Sequence, residues 1–303
     1  MIGEVKHADY ICKIRRLCPD LAITHVQEIS DGFTCMVLVV NYERVFRFVT
    51  NQDQFWVAER LPVQAKMLGL LQDYIATPVP LYDVVSADCA SYRLLPGQGL
   101  HRLDLLRLPK SDQETFAASL ARFLRDLRSI PVDVLQSHNI GKAWITRSPE
   151  KYRADYERLE RELFPYANRL VRRTIREHFE PVLDGTLDLG YEPSLVHGDL
   201  KPWHILTTPD PFHLSGVIDW DDAGVDDPAQ DLGAILYTYG ESFVRQMAKT
   251  TPEIASMIDR ARFYAGRIEP LWVAAGIAER DPRWLAAGLG LARDISPIGA
   301  KLV

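Results

Sequence analysis

One run of the chain fixes both a backbone path and a chemistry. His197-Gly198-Asp199-Leu200-Lys201-Pro202-Trp203-His204 is followed, after an apolar stretch, by Val217-Ile218-Asp219-Trp220. Between them Ile205-Leu206-Thr207 reads as a short strand, Pro209-Asp210-Pro211 as a turn and Leu214–Ile218 as a returning strand. Antiparallel pairing puts the start of the first strand beside the end of the second. His204 and Asp219 are therefore expected to converge although 15 positions separate them. A nitrogen and a carboxylate aimed at one point make a metal site, and Asp199, on the loop leading in, can orient a hydroxyl. Each residue has a plainer reading alone: Asp199 as a turn residue, His204 as a packed loop histidine, Asp219 as a strand-end cap. The joint spacing favours the chemical reading.

The rest of the chain divides by pattern. Met36–Val40 and Arg44–Val49 are β-branched and aromatic runs joined at Asn41, a hairpin signal, with the turn cluster Ser30-Asp31-Gly32 before them. A helix is expected over about 53–73, with Pro62 as a candidate second start. Leu81–Val85 and Ser91–Leu95 suggest two more strands of an antiparallel sheet. Beyond Pro96-Gly97-Gln98-Gly99 the pattern turns helical. Ser111-Asp112-Gln113-Glu114 reads as a capping box opening a helix with Phe116, Leu120, Phe123, Leu124 and Leu127 on one face. Further helices are expected at about 149–164, 168–180, 228–248, 252–278 with a break at Pro270, and 283–293. The expected fold is α+β and bilobal: a β-rich N-terminal lobe over 1–96 and a larger, mainly helical lobe over 97–303, with a ligand cleft between them.

Composition removes several classes. A formal charge of −6 argues against a nucleic-acid partner and permits a cationic substrate. Cys12, Cys18, Cys35 and Cys89 form no C-x-x-C pair and lie away from the histidine-bearing run, so a reduced cytoplasmic chain is expected. No apolar run reaches membrane-spanning length and the first 20 residues lack a signal-peptide core.

Phosphoryl transfer from a nucleotide needs a carboxylate for the attacking hydroxyl and two ligands for Mg²⁺. The protein-kinase pattern H-R-D-x-x-x-x-N, followed by a metal-binding Asp, is met here with Gly198 in place of Arg and His204 in place of Asn. H-G-D-L-x-P-x-H with V-I-D-W-x-D-A-x-x-x-D-P-x-x-D resembles the aminoglycoside and macrolide phosphotransferases, antibiotic-modifying enzymes with a protein-kinase-like fold. His at the fifth position after the Asp is similar to the macrolide 2′- and aminoglycoside 2″-phosphotransferases, and Leu200-Lys201-Pro202 with Ile218-Asp219-Trp220 leans towards the macrolide branch.

The resemblance implies Asp199 as catalytic base, His204 and Asp219 as Mg²⁺ ligands, and His197 and Asp231 as supports of the catalytic loop. Asp227-Pro228 reads as the cap and first-turn proline of the next helix. Lys201 matches a phosphate-facing lysine of Ser/Thr protein kinases, with a solvated loop lysine as the alternative. In the N-terminal lobe Arg47 stands where kinases carry a phosphate-pairing Lys, and its alternating neighbours leave it able to face the cleft. Its helix partner falls on Gln64 by alignment, while Glu59 is the acidic residue available. Gly32 marks the phosphate-covering turn, although no G-x-G-x-x-G exists, and Leu95 lies on the crossover at the nucleotide.

The implied reaction is Mg²⁺-dependent transfer of the γ-phosphate of ATP or GTP to a hydroxyl of a small cationic antibiotic by a monomer. The alternatives are a homoserine-, choline- or sugar-type kinase, a nucleotide-binding pseudokinase, motivated by Arg47 and the missing Glu, and a protein kinase. Only 12 positions separate Asp219 from Asp231 and no A-P-E occurs, which argues against protein substrates. Glu150, Asp155, Glu157 and Glu241 are acidic candidates for gripping an ammonium group.

Overall fold

The computed structural model describes residues 7–29, 35–49, 55–143, 148–209, 212–281 and 294–302. They divide into two compact units. The first comprises 1–96 together with 215–221, and the second comprises 97–214 and 222–303. The segment 215–221, expected in the helical lobe, thus belongs with the β-rich one.

In the first unit, α1 (Ala8–Leu17) precedes a five-stranded antiparallel sheet of β1 (Val26–Ile29), β2 (Cys35–Val40), β3 (Arg44–Val49), β4 (Val84–Val85) and β5 (Cys89–Arg93), ordered β1-β2-β3-β5-β4. Between β3 and β4 runs α2 (Phe55–Leu71). Alternation along β3 splits the core. Phe46 and Phe48 turn to one face, packing with Ile14, Leu38, Val40 and Cys89, while Val45 packs with Val39 and Tyr92 on the other. Each such buried apolar side chain contributes about 1.5–3 kcal/mol. The β2–β3 turn puts Asn41 and Tyr42 at φ 55° and 57°, and Asn41 Oδ1 accepts the Thr24 and His25 amides. Pro62 lies inside α2, so the expected helix runs through it and the candidate second start is not used. Of the expected fourth strand only Val84 and Val85 pair. The segment 215–221 is tied in by the Val217 amide donating to the Pro78 carbonyl at 3.0 Å and by the Ser215 hydroxyl donating to the Pro96 carbonyl at 2.6 Å. Its Trp220 is fully buried.

The second unit opens with β6 (Gln98–Gly99), α3 (Arg102–Leu105), α4 (Lys110–Arg128), α5 (Val132–Ser137), α6 (Pro149–Glu162) and α7 (Arg169–Leu183). Then come β7 (Ser194–Val196), a 3₁₀ turn at Pro202–His204, β8 (Ile205–Pro209), β9 (Phe212–Val217) and β10 (Gly224–Asp226). It closes with α8 (Ala229–Tyr239), α9 (Glu241–Thr250), a 3₁₀ turn (Pro252–Met257) and α10 (Ile258–Glu279). β8 pairs with β6 and β9, and β7 with β10. The expected hairpin forms, and its turn residues 210–211 lie outside the described residues.

Several local expectations are corrected here. The expected capping box does not close, because α4 begins at Lys110, one residue before Ser111, behind Pro109 with no side-chain cap. The single helix expected over 228–248 breaks at Gly240, whose φ of 91° a helix cannot contain. The expected break at Pro270 is absent, since α10 runs through it. The helix expected at 283–293 lies outside the described residues. Among the described residues no helix is long and apolar enough to cross a membrane.

Candidate active site

The loop from His197 to His204 is held by the main chain of its central aspartate. Asp231, on the first turn of α8, accepts the His197 amide at 2.7 Å through one oxygen and the Gly198 amide at 2.9 Å through the other. The His197 ring accepts the Asp199 amide on Nδ1 at 3.2 Å. On the other side, His204 Nδ1 lies 2.8 Å from the Asp199 carbonyl. A carbonyl oxygen only accepts, so the His204 proton sits on Nδ1 and the lone pair on Nε2. Two histidines in opposite tautomers thus clasp one residue. Gly198 sits at φ 84°, and a Cβ there would lie 2.6 Å from the Asp222 carbonyl oxygen. That contact is the physical reason this loop has glycine where kinases have Arg. The Asp199 carboxylate is a quarter exposed and meets Lys201 Nζ at 2.8 Å. Asp227 accepts the Ala229 amide at 2.9 Å and so caps α8.

A second constellation gathers in the β-rich unit. β3 is the central strand of its sheet, so Arg47 is not an edge residue; it is only 8% exposed. Its guanidinium meets Asp221 with two nitrogens, at 3.2 and 2.7 Å, and Asp219 at 3.1 Å. It also donates to the Tyr82 hydroxyl at 2.8 Å. From α2, Gln64 donates to Asp221 at 2.9 Å and accepts from Tyr82 at 2.8 Å. Burial opposes the charge of Arg47, but Asp221, Tyr82 and Asp219 outweigh it and raise the pKa, so the side chain stays cationic. Burial pushes the Tyr82 phenol up, keeping it protonated. Asp219 has a left-handed backbone, φ 67°, a conformation that aspartate tolerates better than most residues and that clusters at functional sites.

The sequence-derived candidates therefore fall into two groups. Asp199, Lys201, His204, His197 and Asp231 lie together in the helical unit, and Arg47 and Asp219 lie together in the β-rich one. The helix residue that reaches the arginine cluster is Gln64, and Glu59 is instead exposed. Leu95 is half-buried against the 215–221 segment, where a Cβ on Gly216 would come within 2.8 Å of its Cδ1. Gly32 lies outside the described residues. Of the acidic substrate candidates, Asp155 is buried between Arg267 and Lys151, at 2.7 Å from each. Glu241 is buried on Arg262 at 2.5 Å. Both are structural pairs, whereas Glu150 and Glu157 remain exposed. Sequence reasoning missed Asp221 and Tyr82. The spacing of Asp221 two after Asp219 was the available signal for the first.

The donor types suit a divalent cation. His204 offers an Nε2 lone pair, Asp219 a carboxylate about one-third exposed, and Asp199 a second carboxylate.

Residues 25–265 match the model of the phosphotransferase enzyme family. The chain is 30% identical over 218 residues to viomycin phosphotransferase of Streptomyces vinaceus, covering 68% of this chain and 71% of that one. It is 28% identical over 225 residues to the uncharacterized protein YcbJ of Bacillus subtilis (strain 168), covering 70% of this chain. The match spans 66% of that relative, a little under two thirds of its length. Among solved structures it resembles the GDP and kanamycin complex of APH(2″)-IIIa, with a TM-score of 0.81 and 26% identity over 93% of this chain and 96% of that one.

Proposed function

This chain belongs to the phosphotransferase enzyme family, and from that premise we propose that it transfers the γ-phosphate of ATP or GTP to a hydroxyl of a small cationic antibiotic, an aminoglycoside first. The observation that carries the reading is the clasp on Asp199. Its main chain is gripped by His197 and His204 and its loop by Asp231, so the backbone that carries the carboxylate is held in place. Positioning and charge stabilisation are what phosphoryl transfer asks of a protein.

In this reading Asp199 accepts the proton of the attacking hydroxyl. The hydroxyl oxygen forms the new bond to the γ-phosphorus. The bond from phosphorus to the bridging oxygen breaks, and the nucleoside diphosphate leaves with that electron pair. Mg²⁺, when bound, supplies charge neutralisation at the phosphates, and His204 through Nε2 and Asp219 through its carboxylate would hold it. Arg47 is the cation assigned to the nucleotide phosphates, kept in place by Asp221 and backed by Gln64 and Tyr82. Lys201 is the second cation, beside the base. The enzyme so read is a cytoplasmic monomer whose partners are nucleotide, Mg²⁺ and substrate. The kanamycin-bound relative supports the aminoglycoside class.

The test is a transfer assay on the purified protein with Mg²⁺, using ATP and GTP separately against aminoglycosides, macrolides, viomycin, homoserine, choline and sugars. Turnover of an aminoglycoside is expected, with a loss of at least about 10²–10⁴-fold in Asp199→Ala, the range for a removed general base. Robust activity in Asp199→Ala would sink the base assignment. Turnover of homoserine, choline or a sugar alone would move the substrate class. Tight nucleotide binding without any turnover would make the chain a regulator.

A further inference from the structure

Lys201 sits between two indoles. Its Nζ lies 5.7 Å from the ring centroid of Trp203 and 5.5 Å from that of Trp272, both within cation–π range. The same nitrogen is 2.8 Å from Asp199 Oδ1. Trp203 follows it in the loop, but Trp272 comes from α10, 71 positions further on.

Each tryptophan has contacts besides the lysine. Trp272 packs edge-on against Tyr237 of α8 at 5.9 Å and 85°, and Tyr237 is itself buried. Trp203 is set by the close approach of β6, where a Cβ on Gly99 would stand 2.6 Å from the Trp203 Cα. It also lies 6.3 Å from the His101 ring. The fold therefore presents two aromatic faces and a carboxylate around one ammonium. A lysine stem has many rotamers, and an ion pair that is partly solvated selects among them weakly. Two aromatic faces add the missing selection.

We propose that Trp272, together with Trp203, is a positioning residue that parks the Lys201 ammonium on the Asp199 carboxylate. The cage gives the carboxylate one counter-charge in one place, so its remaining oxygen keeps one aim when the hydroxyl arrives. This inference rests on Asp199 being the base. It assigns α10 a part in the chemistry that no motif in the chain marks.

A mutant cycle tests it: kcat and KM for wild type, Trp272→Phe, Trp272→Leu, Lys201→Met and the Lys201→Met/Trp272→Leu double variant. Trp272→Leu is expected to lower kcat about 3–10-fold, the scale of one partly desolvated cation–π contact, with the nucleotide KM nearly unchanged. Trp272→Phe, which keeps a face, should recover most of it. In the Lys201→Met background, Trp272→Leu should cost nothing more. An equal loss in both backgrounds, or a rise confined to the antibiotic KM, would overturn the proposal.

A readout independent of turnover separates this from the functional reading. In protein labelled on lysine, the Lys201 ε-methylene resonance, identified by its loss in Lys201→Met, should lie upfield of the other lysines through the ring currents. It should move downfield in Trp272→Leu. A Lys201 resonance at the ordinary lysine position would overturn the cage. An upfield resonance in a protein that turns over nothing would count against the enzymatic reading and for the cage.

Discussion

At the scale of single residues, the site is built from side chains and backbone angles that leave little latitude. Gly198→Ala must place a Cβ 2.6 Å from the Asp222 carbonyl oxygen at φ 84°. A left-handed alanine costs about 1–2 kcal/mol before the clash is counted. A total of about 2–4 kcal/mol is expected, read as a lowered thermal midpoint, together with a fall in turnover if Asp199 is the base proposed above, because the strained peptide is the one before it. Asp221→Ala removes the two-point partner of a buried guanidinium, which typically costs about 3–5 kcal/mol. Asp219 remains on Arg47, so the low end is expected in urea unfolding. Glu59→Ala, on an exposed position, should stay within about 0.5 kcal/mol. These contrasts mark what the sequence could and could not disclose. Asp199, Lys201 and His204 are legible because one short loop carries them at fixed spacing. Asp221 sits in a run of three acids broken only by Trp220, and its role comes from a sheet residue 174 positions away. No local pattern carries that pairing, and the choice between Gln64 and Glu59 turns on reach, which a sequence does not display as it displays charge.

At the scale of elements, tertiary packing overruled the local signals that failed. Pro62 and Pro270 each cost a helix about 3 kcal/mol in isolation. Yet α2 and α10 continue through them, because burial of neighbours such as Leu61, Met67 and Leu68, or Ala265 and Ala274, holds the helix on both sides. Capping shows the same lesson from the other direction. Ser111→Ala should change stability by less than about 0.5 kcal/mol, since Ser111 caps nothing. Ser148→Ala should cost about 1 kcal/mol, because its hydroxyl accepts the Lys151 amide at the start of α6. Matched thermal melts of the two variants distinguish these outcomes. The α7–α10 contact carries a pH dependence. His178 of α7 stacks on Phe263 of α10 and bonds its carbonyl at 2.9 Å. Burial holds its pKa below the ordinary 6.5. The unfolded chain takes up that proton at a higher pH than the native one. Stability from this group is therefore full above about pH 6.5 and is lost as pH falls towards the native pKa. Urea unfolding at stepped pH should show that loss, and His178→Gln should flatten it.

At the scale of the whole molecule, the boundary near residue 97 follows from the change of hydrophobic period, which the sequence displays openly. The return of 215–221 to the first unit does not, since only long-range hydrogen bonds to Pro78 and Pro96 and the carboxylates on Arg47 define it. A fragment of residues 1–96 should accordingly show poor amide dispersion by NMR and no cooperative melt. Joining residues 215–221 to it through a flexible linker should restore both. The crossing also has a consequence for synthesis. A ribosome makes β3 more than 160 residues before it makes Asp219 and Asp221. During that interval the nascent sheet carries Arg47 without Asp219 and Asp221, the two carboxylates that pair with it in the folded protein. Completion of the β-rich unit waits on the emergence of the segment 215–221 that follows β9, and the nascent chain gains both carboxylates of the Arg47 cluster in a single late event.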